Sequence, residues 1–334
     1  MTTVNYTRAD LQTDQEVRWC PGCGDYTILA SVQKYLAGAG IPREKIVFIS
    51  GIGCAARFPY YMNTYGMHSI HGRAPAVATG LATARPDLSV WVVGGDGDMM
   101  SIGGNHLIHA LRRNVNLNIL MFNNQIYGLT KGQYSPTSEV GKTTKSSPMG
   151  SIDYPFNPMS LALGAEAGFA ARTLDMDTKH TAAVLEAAHK HRGTSFVEIY
   201  QNCNVFNNHA FIALTGKEER DHNRIMLEHG QPVIFGVDEE KCVIMDHGQA
   251  RIVPIASVDR SAIVVHDTTN LPQSFALSRL SHNPTGPTPL GVFRDVARPT
   301  YDDGVSQQLA AAQAARGPGD IDKLIRSLGT WTVS

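Results

Sequence analysis

Residues 88–100 read LSVWVVGGDGDMM, an apolar run that ends in glycines and carboxylates. The run predicts a strand buried on both faces, Leu88–Gly95, with a helix opening directly afterwards at Met99. Glycines let a ligand approach the backbone closely, and the start of a helix favours an anion. The stretch therefore predicts an α/β sheet with a phosphate- or metal-binding turn at the end of one strand.

Other apolar runs predict further strands, and the periodic stretches between them predict helices. The remaining strands of this part of the chain are expected at Lys45–Ser50, Leu117–Asn124 and Ser195–Gln201. The helices are expected at Thr27–Ala39, Ala74–Ala84, Met99–Arg113, Pro158–Ala167 and Thr178–His191. This alternation is typical of a mostly parallel sheet flanked by helices.

The pattern changes after Cys203. Short strands are expected at Cys242–His247, Ala250–Ile255 and Ser261–His266, and a helix around Leu309–Ala315. We therefore expect an α/β domain over residues 1–210 and a C-terminal extension over residues 211–334 that packs on the core.

Composition narrows the class of protein. A chain of 334 residues with 43% hydrophobic content can bury a large core. Its net charge of -1, from 29 basic and 30 acidic residues, gives no field of one sign, which argues against binding to nucleic acid or to an acidic membrane. No apolar run approaches the ~18 residues of a membrane helix, and no signal sequence is visible, so we expect a cytoplasmic protein.

A second polar strand end follows the first. Asn124 lies 28 residues after Asp96 and ends the strand Leu117–Asn124. Parallel neighbours finish at the same edge of a sheet, so the two side chains can meet there as oxygen ligands of Mg²⁺. The alternative is a helix N-cap and a turn, which Asp98 alone fits equally well. The segment 125–156 that follows has little periodicity and is expected to be a binding loop.

Five cysteines, an odd number without an export signal, indicate metal binding or reactive thiols rather than disulfides. Cys20 and Cys23 form a Cys-x-x-Cys pair, and Cys54 and Cys203 follow predicted strands. Four thiolates can hold zinc or a [4Fe-4S] cluster, and the scattered spacing favours the cluster. The fifth, Cys242, is expected to be a small buried hydrophobic residue.

The chain resembles the β subunits of 2-oxoacid:ferredoxin oxidoreductases, which bind thiamine diphosphate. The resemblance covers about residues 15–210. It rests on WCPGCG at 19–24, GIGC at 51–54, HGR at 71–73, GDGD at 95–98, NQIYGLTKGQ at 124–133 and the late Cys203. The fold implied is the thiamine-diphosphate-binding α/β fold.

The resemblance also implies ligands. Those of Mg²⁺ are Asp96, the Asn124 side chain and the Ile126 carbonyl, and those of one [4Fe-4S] cluster are Cys20, Cys23, Cys54 and Cys203. The contacts of the cofactor are Gly53, Cys54, His71, Gly95, Asp96, Gly97, Asp98, Asn124, Ile126, Gly128 and Leu129.

Catalytic and substrate residues are suggested by the same resemblance. His71 can hydrogen-bond the diphosphate or substrate and transfer protons. Arg57 can pair with a substrate carboxylate through its guanidinium fork. Arg57, Leu129 and Thr130 are expected to line the substrate pocket. A structural role for His71 and a solvated Arg57 are the alternatives.

The implied activity is coenzyme A-dependent oxidative decarboxylation of 2-oxoglutarate to succinyl-CoA and CO₂, with ferredoxin as electron acceptor, or the reverse carboxylation. A single diphosphate motif implies an α subunit that donates the activating glutamate, in an α2β2 assembly. Pyruvate or a broad range of 2-oxoacids is an alternative substrate class. Two further functions stay open, a non-redox thiamine decarboxylase or carboligase with a structural zinc, and a scaffold subunit with a degenerate cofactor site.

Overall fold

A computed structural model describes residues 4–280 and 286–333. Its strands are, in chain order, β1 Ile46–Ser50, β2 Tyr65–His68, β3 Ser89–Gly95, β4 Leu117–Asn123, β5 Phe169–Leu174, β6 Thr194–Tyr200, β7 Arg224–Leu227, β8 Ile234–Phe235, β9 Lys241–Asp246, β10 Gln249–Pro254 and β11 Thr288–Asp295. Eight of them form the central sheet, in the order β2-β1-β3-β4-β6-β5-β11-β7, and β10-β9-β8 form a small antiparallel sheet.

The helices flank the central sheet. They are α1 Asp25–Ala37, α2 Ala74–Ala84, α3 Asp96–Met100, α4 Gly104–Arg113, α5 Pro158–Gly164, α6 Thr178–Lys190, α7 Ile212–Thr215, α8 Arg220–Asn223, α9 Leu271–Ser278, α10 Tyr301–Arg316 and α11 Ile321–Arg326. The expected mostly parallel sheet flanked by helices is confirmed.

Alternating side chains of the central strands fill two cores. In β3, Val90 and Val92 pack with α2 and α4, while Trp91 and Val93 face α1 and α6 on the other side. Strand β4 alternates in the same way. Because both faces are covered, the strands are apolar throughout, which is why they could be recognised from sequence.

The sheet brings several strand ends to one edge. Strands β1, β3, β4 and β6 are mutually parallel neighbours, so their carboxyl ends meet. These ends carry the Gly51–Cys54 turn, the 95–98 motif, Asn124 and the segment leading to Cys203. The fold therefore gathers the predicted site residues at the edge where α/β proteins bind ligands.

Three expectations about the elements need correction or extension. The single helix Met99–Arg113 was wrong, because residues 101–103 interrupt it and leave α3 and α4. The strand Ser261–His266 was also wrong, since it holds part of a 3₁₀ turn and isolated bridges only. Beyond residue 210, β7 and β11 join the central sheet, with β11 antiparallel to β5.

The C-terminal tail extends from the body. Asp302 is buried, but every residue from 306 to 333 is exposed. In α11 the apolar side chains recur at helical spacing, at Ile321, Leu324 and Ile325, and Leu328 continues the stripe. Within residues 4–280 and 286–333, no helix combines the length and apolar character needed to cross a bilayer.

Candidate active site

One cavity at this edge gathers the residues predicted to contact a cofactor. Its walls include all of them, namely Gly53, Cys54, His71, Gly95, Asp96, Gly97, Asp98, Asn124, Ile126, Gly128 and Leu129. Thr130, expected in the substrate pocket, lines it too, as do Ile52, Ala55 and Tyr127. Segments far apart in sequence thus converge on one space.

Asp96 supplies the most buried carboxylate of the cavity wall. Its side chain is 1% exposed, and its Oδ2 accepts hydrogen bonds from Ser135 Oγ at 2.5 Å and Thr137 Oγ1 at 2.6 Å. Burial raises the pKa of Asp96, while the two hydroxyls act in the opposite direction. A buried carboxylate beside other oxygen donors suits a divalent cation.

Asn124 and Ile126 add oxygen donors beside it. Asn124 Oδ1 accepts the Ile126 amide at 3.2 Å, and its Nδ2 donates to Gln201 Oε1 at 2.8 Å. These two hydrogen bonds fix the amide orientation of Asn124. A carboxylate, an amide oxygen and a backbone carbonyl are hard ligands of the kind Mg²⁺ takes.

Asp98 acts within the protein scaffold. Its Oδ1 accepts the amides of Ile52 at 3.1 Å and Gly72 at 2.8 Å, and lies 2.6 Å from His71 Nδ1. The side chain is almost fully buried, and burial raises its pKa against these three favourable contacts. Asp98 thus holds two loops together and leaves His71 Nε2 as the free ring nitrogen.

The four predicted cluster cysteines lie near one another behind the same cavity. A Cβ placed on Gly128 would be 3.6 Å from both Cys54 Sγ and Cys203 Sγ, an ordinary contact distance, so these two sulfurs lie close to the same point of the cavity wall. Among the described residues, no three His, Cys, Asp or Glu side chains stand close enough to share one metal ion. The fifth cysteine, Cys242, is buried in β9, as expected.

Burial keeps two of these thiols in their protonated form. Burial, with smaller contributions from the nearby Asp25, Cys203 and Cys20, raises the pKa of Cys54 to about 12. The pKa of Cys23 is raised more strongly by the same burial. Thiols with such values stay protonated unless a metal takes the place of the proton. A metal bound by Cys23 and Cys54 would therefore have to displace the protons of both thiols.

A second cavity adjoins the first and contains Arg57. The two share the walls formed by Ile52, Gly53 and Leu129. Arg57 is half-buried there, while Arg18, which also lines this space, is paired with Glu16 at 2.9 Å. Positive charge beside the cofactor cavity suits a substrate that carries a carboxylate at its far end.

Several residues of the site were missed from sequence. Ser135 and Thr137 lie in the long loop and are buried, which its polar composition did not predict. Tyr127, whose hydroxyl donates to the Gly97 carbonyl at 2.9 Å, lines the cavity. Gln201 donates to Cys23 Sγ at 3.3 Å as well as accepting from Asn124. Its position at the end of β6 was the available signal.

Known proteins resemble both the domain and the whole chain. Residues 51–199 match the family described as thiamine pyrophosphate enzyme, C-terminal TPP binding domain. The 2-oxoglutarate oxidoreductase subunit KorB of Mycobacterium tuberculosis is 57% identical over 328 residues, which cover 97% of this chain and 88% of that protein. This chain belongs to the family of 2-oxoacid:ferredoxin oxidoreductase β subunits. The resemblance drawn from its motifs is thereby confirmed.

Other family members agree. Subunit beta of 2-oxoacid:ferredoxin oxidoreductase 2 from Aeropyrum pernix is 43% identical over 232 residues, covering 69% of this chain and 74% of that one. The structure of 2-oxoglutarate:ferredoxin oxidoreductase from Magnetococcus marinus, solved with 2-oxoglutarate, coenzyme A and succinyl-CoA bound, matches with a TM-score of 0.76 and 34% identity. The match covers 99% of this chain and 98% of that one. The fold expected from sequence is confirmed.

Proposed function

We propose that this β subunit serves a 2-oxoglutarate:ferredoxin oxidoreductase. The reaction is the coenzyme A-dependent oxidative decarboxylation of 2-oxoglutarate to succinyl-CoA and CO₂ with ferredoxin as acceptor, or its reversal. The observation that carries the proposal is 57% identity, over 97% of this chain, to a 2-oxoglutarate oxidoreductase subunit. The structural neighbour with 2-oxoglutarate, coenzyme A and succinyl-CoA bound supports it.

The residues around the cavity fit thiamine diphosphate with Mg²⁺. Asp96, Asn124 and the Ile126 carbonyl would hold the metal, with Gly95 and Gly97 leaving room for the diphosphate. When bound, the cofactor supplies the electron sink that decarboxylation of a 2-oxoacid requires. The chain's own part is to fix the metal ligands and to exclude water with Leu129 and neighbouring residues of the loop.

His71 is the proton-handling residue of the proposal. Its Nδ1 lies 2.6 Å from Asp98, so the ring is held and Nε2 remains available to accept or donate a proton in the cavity. The side chain is 41% exposed, which gives it access to the cavity space. Asp98 thus orients His71 without itself reaching the substrate.

Arg57 is the residue that we assign to the selection of 2-oxoglutarate over pyruvate. The guanidinium would pair with the second carboxylate of 2-oxoglutarate, a group that pyruvate lacks. Leu129 lies on the wall common to both cavities, and Thr130 lines the cofactor cavity. Side chains at these two positions would set the length and shape of substrate that the pocket accepts.

Cys20, Cys23, Cys54 and Cys203 would ligate one [4Fe-4S] cluster, which receives electrons and passes them to ferredoxin. Cys54 lies in the wall of the cofactor cavity itself, so the redox centre would adjoin the reacting group. Gly128, in the same wall, lies beside both Cys54 Sγ and Cys203 Sγ.

The proposal includes partners. As a β subunit, this chain acts with an α subunit, which we assign the glutamate that activates the cofactor and most coenzyme A contacts. We place the complex in the cytoplasm as an α2β2 assembly. The segment 211–334 would pack on the core and on the partner, as its exposed tail suggests.

Anaerobically purified complex tests the proposal. Iron and labile-sulfide content near four per β chain, with an electron paramagnetic resonance signal after dithionite reduction, is expected. Oxidation of 2-oxoglutarate should exceed that of pyruvate. Zinc without iron would instead indicate a non-redox thiamine enzyme, and equal rates on the two acids would indicate a broad-range enzyme.

A further inference from the structure

Two hydroxyl groups from the long loop, residues 125–156, contact the carboxylate of the 95–98 motif. Ser135 and Thr137 are 2% and 3% exposed, and both donate to the same carboxylate oxygen, Asp96 Oδ2. The loop is closed locally, since the Ser135 amide donates to Ser138 Oγ at 2.8 Å and Ser138 Oγ donates to the Gln125 carbonyl at 2.6 Å. A segment without helix or strand is therefore held rigidly at this point.

Thr137 also connects Asp96 to the strands. Its Oγ1 lies 3.0 Å from Asn123 Oδ1, and Asn123 Nδ2 donates to Glu198 Oε1 at 2.7 Å. Glu198 Oε2 in turn accepts from Arg172 Nε at 2.7 Å, and both members of this pair are buried. A buried polar network thus runs from β5 through β6 to Asn123 of β4, and Thr137 lies between that end and Asp96.

The direction of the Thr137 hydrogen bond follows from charge. The hydroxyl has a single proton and two acceptors, Asp96 at 2.6 Å and Asn123 at 3.0 Å. The shorter contact to a carboxylate is the stronger one. Two donors on Oδ2 therefore fix the rotation of the carboxylate.

We propose that Thr137, assisted by Ser135, is a positioning residue that orients Asp96 for Mg²⁺ by donating hydrogen bonds to its Oδ2. The inference rests on the proposed thiamine-diphosphate function and adds residues that its motif does not contain. Partners of this kind set metal affinity because they prevent a ligand from rotating out of place. Thr137 touches neither substrate nor cofactor in this role.

The test is an Mg²⁺ titration of thiamine-diphosphate binding. The complex of this chain with its α partner is treated with EDTA, and cofactor binding is followed by calorimetry at increasing Mg²⁺. Thr137→Val keeps the volume and removes the donor, so we expect the half-saturating Mg²⁺ concentration to rise roughly ten- to a hundredfold. Thr137→Ser restores the donor and should return it to within about threefold of wild type.

A control variant separates positioning from general loop stability. Thr143 is an exposed threonine of the same loop, and Thr143→Val should leave the Mg²⁺ dependence unchanged. Ser135→Ala removes the other donor and serves in place of Thr137→Val where that variant folds poorly. The expected result for it is the same direction of change, with the thermal midpoint of the metal-free complex as the measure of folding.

Two outcomes count against the inference in different ways. If wild-type complex binds thiamine diphosphate with Mg²⁺ and the Thr137→Val and Ser135→Ala variants show the same half-saturating Mg²⁺ concentration, the positioning role is overturned and the proposed function stands. If wild-type complex shows no Mg²⁺-dependent cofactor binding, both the proposed function and the positioning role fall. A shift in thermal midpoint without a shift in Mg²⁺ affinity would make Thr137 a purely structural residue.

Discussion

Removing the Glu198 side chain should destabilise the protein far more than removing any surface charge. Arg172 and Glu198 are 1% and 0% exposed and are joined at 2.7 Å. Glu198→Ala leaves the Arg172 guanidinium buried with, among the described residues, the Pro289 carbonyl as its remaining hydrogen-bond acceptor, and it removes the acceptor of Asn123 Nδ2. Breaking a buried pair costs about 3–5 kcal/mol, and an unpaired buried amide adds about 1–3 kcal/mol.

The expected loss is therefore about 4–8 kcal/mol, a large fraction of the ~5–15 kcal/mol that stabilises a typical domain. The measurement is urea unfolding followed by far-ultraviolet circular dichroism. The double variant Arg172→Met/Glu198→Met removes both charges, so it should lose less than Glu198→Ala alone.

Arg192 provides the matched control. It pairs with Asp303 at 2.6 Å on the surface, with side chains 64% and 40% exposed. Arg192→Ala should lose no more than about 1 kcal/mol. If Glu198→Ala and Arg192→Ala lose similar free energies of unfolding, the reasoning from burial is refuted.

Further predictions concern the redox centre, pH and substrate choice. Gln201→Leu removes the N–H donor to Cys23 Sγ, so the midpoint potential of the cluster should become more negative in a redox titration by electron paramagnetic resonance; an unchanged potential would contradict this. Burial lowers the pKa of His189 from 6.5, so its contribution to stability is present above that value and lost as pH falls below it. Urea midpoints at about pH 7.5 and about pH 5.5 should therefore differ less in His189→Gln than in wild type, and an equal difference would rule the residue out. Arg57→Met should lower kcat/KM for 2-oxoglutarate at least about tenfold and leave that for pyruvate nearly unchanged, whereas parallel losses on both acids would exclude a role in selectivity.

The central strands were predictable because a strand that is buried on both faces is a continuous run of apolar residues. Leu88–Gly95 was predicted within one residue of β3, and Leu117–Asn124 within one of β4. The edge strand β2 was missed since all four of its residues are exposed and carry no apolar run. Strand β11 was missed because its pairing partners come from distant parts of the chain.

Breaks between helices were less predictable. The gap between α3 and α4 depends on Gly103, where a Cβ would lie 2.4 Å from the Asp98 carbonyl oxygen. A Cβ there would also lie 3.0 Å from Gly72 Cα, a contact that forms only once the neighbouring loop is folded against the motif. Local periodicity through residues 99–113 therefore favoured one continuous helix.

The cofactor cavity was predictable as a set of motifs, and its supporting residues were not. Glycines and carboxylates that directly follow an apolar strand can be recognised as site residues from the sequence, as Asp96 was. Ser135 and Thr137 belong to a polar loop in which solvent-exposed and buried hydroxyls look alike in sequence. Only the folding of that loop onto Asp96 distinguishes them.

The anchor at Asp98 has a consequence for anyone who wishes to engineer this subunit. The carboxylate holds Ile52 and Gly72, and Cys54 follows Ile52 by two residues. A replacement in the 51–54 turn that adjusts the redox centre will therefore also reshape the cofactor chamber. Retargeting to another 2-oxoacid is better attempted from Arg57 and Thr130, whose side chains can be exchanged without disturbing that shared hinge.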